Sequence, residues 1–75
     1  MVVVNADAEP FVRKGRNVFH GFVVACDAWL APSEACLIVN ESGELIGHGL
    51  ARCTSTEMAA MKKGIAVRTR GGVDD

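Results

Sequence analysis

The chain has 75 residues, of which 49% are hydrophobic, and a formal net charge of −1. A chain this short forms one small domain, residues 1–75, that buries roughly 60% of its unfolded surface, and it is too apolar for disorder at so low a net charge. No apolar run approaches the ~20 residues of a membrane span, and the N-terminus lacks the basic and apolar regions of a signal peptide.

Residues 2–5 are rich in β-branched side chains and predict a short strand. Asp7 is suited to cap a brief helix over residues 8–13, because its carboxylate can accept a hydrogen bond from a free backbone N–H group. Pro10 is tolerated in the first turn, and Gly15 is placed to end the helix.

Residues 17–27 are apolar on both alternating faces, which predicts one strand covered on both sides or belonging to a small closed barrel. We expect Phe11 and Phe19 to be core residues, since aromatic side chains in such segments are usually buried. Residues 29–34, which contain Pro32, predict a loop.

Residues 36–39 predict a short apolar strand, and residues 40–44 a hairpin turn in which Gly43 supplies a positive φ. Residues 45–53 then form the returning strand. Gly47 and Gly49 within it indicate a bulge or a close approach of another backbone segment.

The sequence T-S-T-E at 54–57 has the spacing of a capping box and predicts a second helix with Met58 and Met61 on its core side, ending at Gly64. Residues 65–70 predict the last strand, with Ile65 and Val67 on one face and Ala66, Arg68 and Arg70 on the other, so that both arginines point outward. Residues 71–75 predict a frayed tail. The fold class is therefore mainly β with two short helices, arranged as a small mixed barrel.

Seven of the eight Lys and Arg residues fall in two runs that each contain a glycine, at 13–16 and at 62–70. No Lys or Arg lies between residues 17 and 51. If the two runs meet in space, they form a cationic surface of the kind that binds phosphate backbones. The alternative is that both are solvated helix ends, where positive charge favours the helix dipole.

Three widely spaced cysteines, Cys26, Cys36 and Cys53, form no C-x-x-C pair, which argues against a disulfide framework or a zinc site. They are typical of core thiols in a reducing, cytoplasmic compartment. His20 and His48 stand in no recognisable catalytic pattern, and no phosphate-binding loop is present. We therefore expect a protein without catalytic activity of its own, without a metal and without a cofactor.

The runs E-P-F-V-R-K-G-R at 9–16 and K-G-I-A-V-R-T-R at 63–70 resemble a PUA domain, and more narrowly the C-terminal PUA domain of archaeal tRNA-guanine transglycosylases. The resemblance covers residues 2–70. It implies a mixed β pseudobarrel that binds structured RNA between the first helix, the next strand and the last strand. It also implies tRNA as the RNA, gripped at the acceptor stem and 3′ end, while a catalytic tRNA-modifying domain or subunit lies elsewhere.

The resemblance implies RNA-binding roles for nine residues. In the first run, side chains would contact phosphates and a glycine would let the backbone approach the stem: Arg13, Lys14, Gly15 and Arg16. Gly21 and Phe22 resemble the P-G-V stretch of many PUA domains, with His20 in place of the proline. The opposite wall would consist of Lys63, Arg68 and Arg70.

Two departures from the family pattern are visible. Ser33-Glu34 stands where a Gly-Asp pair is usual, and Gly21 stands where the transglycosylases often have lysine. A different class of function is a protein–protein or dimerisation module without RNA affinity, in which Trp29, Met58 and Met61 would form an exposed apolar patch.

Overall fold

The computed structural model describes residues 1–27, 30–52, 54, 57 and 64–75. In these residues one helix and six strands follow each other, with a 3₁₀ turn at His20–Phe22. The elements in chain order are β1 (Val2–Val4), α1 (Glu9–Arg13), β2 (Val18–Phe19), β3 (Val23–Cys26), β4 (Ala35–Val39), β5 (Leu45–Ala51) and β6 (Ile65–Gly72).

The six strands form one sheet in the order β2-β6-β5-β4-β1-β3. β1 runs parallel to β4, and every other neighbouring pair is antiparallel. The two edge strands, β2 and β3, follow each other in the chain, and the sheet curls into a nearly closed barrel. This confirms the predicted fold class, a mainly β mixed pseudobarrel.

The single strand predicted over residues 17–27 is wrong, because the 3₁₀ turn at His20–Phe22 divides it. Val18 pairs with Val67 of β6, whereas Val23 pairs with Val4 of β1, at the opposite edge of the sheet. The turn carries the chain from one edge to the other. Val24 and Ala25 are exposed, so β3 is not covered on both faces.

The barrel interior is filled by small and branched apolar side chains. The largest of those with almost no exposed surface are Val2, Val4, Val12, Val18, Ile38, Ile46 and Val67. Cys36 is buried in this core and Cys26 packs against it, as the sequence predicted. Burial raises the pKa of both thiols, which favours their neutral form. Cys53 lies outside the described residues.

The helix α1 begins without the predicted cap. Its N-cap residue is Ala8, which has no side-chain capping hydrogen bond, so the assignment of Asp7 was wrong. Asn5 acts further upstream, where its Oδ1 accepts a hydrogen bond of 3.2 Å from the Ala8 N–H. The predicted end is correct, since Gly15 follows the C-cap residue Lys14 and has a φ of +85°.

The predicted hairpin turn is confirmed between β4 and β5. The side chain of Asn40 closes it, because Oδ1 accepts hydrogen bonds from the N–H groups of Ser42 at 3.1 Å and Glu44 at 2.9 Å. Gly43 has a φ of +85°, a conformation that glycine adopts without steric cost. The turn is therefore fixed by side-chain chemistry as well as by strand pairing.

Thr54 and Glu57 make the reciprocal contacts of a capping box. The Glu57 N–H donates to Thr54 Oγ1 at 3.2 Å, and the Thr54 N–H donates to Glu57 Oε1 at 3.1 Å. The bond from the Thr54 backbone lowers the pKa of the Glu57 carboxyl. The helix predicted beyond this point, with Met58 and Met61, falls outside the described residues, as does Trp29.

The prediction of a frayed tail from residue 71 is wrong. β6 continues through Gly71 and Gly72, which pair with His48 and Gly47 of β5. The Val73 N–H then donates to Ile46 O at 3.1 Å, and the Asp74 N–H donates to Arg13 O at 2.8 Å. A side chain at Gly72 would overlap the carbonyl groups of Val12 and Arg13, so glycine permits this close approach to α1.

No helix within the described part of the chain is both long and apolar enough to span a membrane.

Candidate nucleic-acid interface

The segments that carry Arg16 and Arg70 are joined where β2 lies beside β6. The Thr69 N–H donates a hydrogen bond of 3.0 Å to Asn17 Oδ1, across 52 positions of sequence. This bond joins the immediate neighbours of Arg16 and Arg70. Arg16, Arg68 and Arg70 are all exposed, and we call these three residues the arginine surface.

The strand alternation explains why the arginines of β6 point outward. Val67 and Thr69 are buried, whereas Arg68 and Arg70 between and after them are exposed. Ala66 was predicted on the arginine side and is instead fully buried. The outward position of both arginines is therefore confirmed, although the predicted alternation fails at the first residues of the strand.

Arg13 is surrounded by carboxylates, unlike the other arginines described so far. Its Nε donates to Glu9 Oε2 at 2.9 Å and its Nη2 to Glu44 Oε1 at 2.9 Å, and Nη1 lies 3.9 Å from Asp74 Oδ2. The hydrogen bond to Glu9 raises the pKa of the guanidinium, and the bond to Glu44 adds to this. The Arg13 side chain is 25% exposed, and its donors point at acids rather than at solvent.

Lys14 and Gly15 connect α1 to the arginine surface. Lys14 is exposed, and Gly15 adopts its positive φ with its N–H donating to Val12 O at 2.9 Å. A Cβ on Gly15 would lie 2.7 Å from a carboxylate oxygen of Asp75. The last residue of the chain therefore covers the glycine that the family resemblance assigns to backbone contact.

Three phenylalanines surround a surface pocket of about 410 Å³ next to Arg16. Phe11 is 59% exposed and Phe19 is 48% exposed, so the prediction that both are core residues is wrong. Phe22 is partly buried and packs against the core. We call this feature the phenylalanine pocket. Within the described part of the chain, the residues that line it are Ala8, Phe11, Arg16, Asn17, Phe19 and Phe22.

Sequence reasoning missed this pocket, although a signal for it was present. Val12 is the fully buried residue of α1, which turns the adjacent Phe11 toward solvent. Val18 is buried in β2, and strand alternation then places Phe19 on the opposite face. The prediction relied on the apolar character of Phe11 and Phe19 and did not consider on which face of α1 and β2 each of them lies.

Gly21 and Lys63 are the remaining predicted site residues. Gly21 is exposed within the 3₁₀ turn, next to Phe22. Lys63 lies outside the described residues, so its assignment stays a prediction. His20 is buried, and its backbone N–H donates to Gly64 O at 3.0 Å. His48 is exposed, with its ring next to Gly71. Neither histidine lines the phenylalanine pocket.

Comparison with known proteins identifies the family. The sequence model of the PUA domain matches residues 1–73, and the chain therefore belongs to the PUA domain family. It is 47% identical over 72 residues to the tRNA-guanine(15) transglycosylase of Methanocaldococcus jannaschii; the match covers 96% of this chain and 11% of the relative. The chain thus spans about one ninth of that enzyme's length.

Solved structures agree with this assignment. A conserved PUA domain protein from Thermoplasma acidophilum superposes with a TM-score of 0.93 at 27% identity, over 99% of this chain and 49% of the other. The archaeal box H/ACA sRNP Nop10-Cbf5 complex contains a chain with a TM-score of 0.91 at 25% identity, matched over 96% of this chain and 23% of that chain. As a PUA domain, the chain is an RNA-binding module, and the catalytic activity of its relatives lies in their other domains.

Proposed function

We propose that this PUA domain binds the acceptor stem and 3′ end of tRNA, and that it serves a tRNA-modifying catalytic domain that is either fused to it or separate. The observation that supports the proposal is the contact between Asn17 and Thr69, which joins the segments that carry Arg16 and Arg70, while Arg16 also lines the phenylalanine pocket. Cations and exposed aromatic rings on one face suit a molecule that offers both phosphates and unstacked bases.

The arginine surface is suited to the stem. A-form RNA hides its major groove from side chains, so a small domain recognises the duplex by its phosphates, its 2′-hydroxyl groups and its shape. Arginine suits this task because its planar guanidinium donates two parallel hydrogen bonds to a phosphate. Lys14 is exposed nearby and adds a further cation, whereas RNA backbone reaching Gly15 requires Asp75 to move aside.

The phenylalanine pocket is suited to a single-stranded end. Its volume of about 410 Å³ is sufficient for a nucleobase, and its walls are mainly apolar, with three phenylalanines among the residues that line it. Stacking of one base on an aromatic side chain contributes about 1–3 kcal/mol and tolerates any base. Arg16 and Asn17 line the same pocket and offer hydrogen bonds to the nucleotide. A stem with an unpaired 3′ end would engage both features at once.

The link to a catalytic domain rests on the relatives. Their names assign them a transglycosylase activity on tRNA, and the part of them that matches this chain is 11–13% of their length. We infer that RNA binding and catalysis reside in different domains here as well. We also infer that the protein acts in the cytoplasm, where tRNA is modified. Arg68 and Arg70 would hold the acceptor stem while the catalytic domain acts on a base of the same tRNA.

The test uses the 75-residue chain and an RNA hairpin that carries an acceptor stem with or without its unpaired 3′ end. Fluorescence anisotropy over a range of salt concentrations should give tighter binding to the hairpin with the 3′ end. Phe19→Ala should remove most of that difference, at a loss of about 1–3 kcal/mol of binding energy. Leu45→Ala is the matched control, because Leu45 is also 48% exposed but lies outside the pocket.

Equal affinity for both hairpins would exclude the pocket as the site of the 3′ end. Binding that does not weaken with salt would exclude phosphate contact by the arginine surface, because each neutralised phosphate contributes about 0.7–0.9 units of log–log slope. A loss of affinity in Leu45→Ala as large as in Phe19→Ala would show a general effect on the fold.

A further inference from the structure

We propose that Arg13 is a positioning residue for the RNA-binding surface and not one of its phosphate contacts. This inference rests on the proposed function, because it concerns how the same surface is held in place. The family resemblance grouped Arg13 with Lys14 and Arg16, which are its neighbours in sequence. The side-chain contacts of Arg13 differ from those of Lys14 and Arg16.

The guanidinium of Arg13 lies within a cluster of polar groups drawn from three parts of the chain. Glu9 comes from α1 itself, Asn40 and Glu44 from the turn between β4 and β5, and Asp74 from the C-terminal segment. The Asn40 Nδ2 group links the acids by donating to Glu9 Oε1 at 3.2 Å and to Glu44 Oε1 at 3.1 Å. We call this set of five residues the Arg13 cluster.

The charge balance of the Arg13 cluster opposes phosphate binding. One guanidinium faces three carboxylates, so the site carries a net negative charge and repels an approaching phosphate. Phosphate contact would also require Arg13 to exchange two hydrogen bonds of 2.9 Å for new ones. Arg16 has no such competitor, since no ion pair within 4.0 Å involves it in the described part of the chain.

The Arg13 cluster instead determines where the chain leaves α1. The Asp74 N–H donates to Arg13 O at 2.8 Å, so both the main chain and the side chain of Arg13 are tied to the C-terminal segment. Two residues later the Gly15 N–H donates to Val12 O, and the Arg16 N–H donates to Phe11 O, both at 2.9 Å. The position of Arg16 beside β6 therefore depends on the anchoring of the helix end by Arg13.

Lysine cannot replace arginine in this role. Arg13 uses Nε and Nη2 to reach two different carboxylates in fixed directions, whereas a lysine ammonium is a single point charge on a flexible stem. A phosphate contact, in contrast, is often served by either residue. The Arg13→Lys variant therefore separates the two roles.

The experiment compares Arg13→Met, Arg13→Lys and Arg16→Met for thermal stability, for affinity to the acceptor-stem hairpin, and for the slope of log affinity against log salt. Arg16→Met should lower the slope by about 0.7–0.9 and leave the melting temperature nearly unchanged. Arg13→Met should lower the melting temperature and reduce affinity by about three- to tenfold, with an unchanged slope. Arg13→Lys should resemble Arg13→Met.

A second pair of variants tests the charge competition directly. Glu44→Gln removes one partner of Arg13, and Glu41→Gln is its control in the same turn, with the same change in net charge. If Arg13 were a phosphate contact restrained by acids, Glu44→Gln would free it and bind RNA more tightly than Glu41→Gln does. We expect instead no gain over the control, together with a lower melting temperature.

Amide hydrogen exchange in the absence of RNA keeps this inference separable from the proposed function. In Arg13→Met the amides of Gly15 and Arg16 should exchange at least several-fold faster, while that of Asn5, which is bonded to Phe22 O at 3.0 Å, should change little. Unchanged exchange at Gly15 and Arg16, a lost unit of salt slope in Arg13→Met, or full rescue by Arg13→Lys would each overturn the positioning role. Failure of the wild type to bind RNA would overturn the proposed function alone.

Discussion

Arg13 and Arg16 are three positions apart in one basic run, yet their surroundings give them different chemistry. Arg16 is exposed at the rim of the phenylalanine pocket, and Arg13 is bound by acids from three segments. The sequence places both in the same charge cluster but cannot show which one is neutralised. The reason is that Glu44 is 31 positions away from Arg13 and Asp74 is still farther.

A charge reversal at either side of the arginine surface should weaken RNA binding. Arg16→Glu and Arg70→Glu should each cost about 1–2 kcal/mol of binding free energy, because each would replace a proposed phosphate contact by a repulsion. Their melting temperatures should stay close to the wild type, since exposed substitutions away from caps and core usually change stability by less than ~0.5 kcal/mol. Anisotropy titration with the acceptor-stem hairpin and thermal unfolding measure both effects.

Glu41→Lys is the control for this pair. Glu41 is exposed in the turn between β4 and β5, on a different segment from the arginine surface. Its reversal should leave RNA affinity nearly unchanged. If both arginine variants bind like the wild type, or if Glu41→Lys loses affinity equally, the arginine surface does not contact RNA.

At the scale of elements, the sequence predicts which segments are strands better than where they are interrupted. The glycine ends of α1 and of the hairpin turn were found correctly, because a positive φ at Gly15 and Gly43 is a local property. The break at His20–Phe22 was missed, because it is required by barrel closure and not by local chemistry. The same applies to the end of β6, whose glycines resemble a flexible tail until α1 packs against them.

Substitution of two glycines should distinguish close packing from backbone strain. Gly72→Ala places a methyl group against the carbonyl groups of Val12 and Arg13, an overlap that only a movement of α1 can relieve. Gly43→Ala meets no atom within 4 Å and suffers only from its φ of +85°, at a cost of about 1 kcal/mol. Gly72→Ala should therefore lower the melting temperature more than Gly43→Ala, at a cost of about 1–3 kcal/mol or more.

Denaturant unfolding of both variants measures these costs. A smaller loss in Gly72→Ala than in Gly43→Ala would show that α1 does not press on β6 as closely as the structure has it. Gly72→Ala should also weaken RNA binding, because the shift of α1 moves Arg16.

The capping contact between Thr54 and Glu57 should make stability depend on pH. Hydrogen bonds from the backbone and side chain of Thr54 lower the folded-state pKa of Glu57 below the ordinary value of a glutamate side chain. A group with a lowered folded pKa stabilises the fold above its unfolded pKa and loses that contribution as pH falls through the folded value. The wild type should therefore be more stable than Glu57→Gln at pH 7, and the two should converge as the pH falls well below 4.5. A difference that is constant from pH 7 to pH 3 would contradict a role for the carboxylate charge.

At the scale of the whole molecule, the fold could be predicted from the sequence and the site only in part. The alternating apolar strands and the turn glycines predict a mixed barrel. The two basic runs predict positively charged side chains on its surface. The phenylalanine pocket was missed, because exposure of Phe11 and Phe19 depends on which neighbours fill the barrel, and Val12 and Val18 fill it instead. The sequence shows which apolar residues are candidates for the core. Tertiary packing decides which of these candidates are buried.

The response of the whole molecule to salt separates RNA binding from the alternative of a dimerisation module. An RNA complex held by phosphate contacts weakens as salt rises, whereas a dimer formed by exposed apolar side chains such as Val24 and Leu37 persists. Sedimentation should show a 7.9 kDa monomer without RNA, and a one-to-one complex with the acceptor-stem hairpin that dissociates at high salt. A homodimer that survives high salt and takes up no RNA would establish the dimerisation module instead.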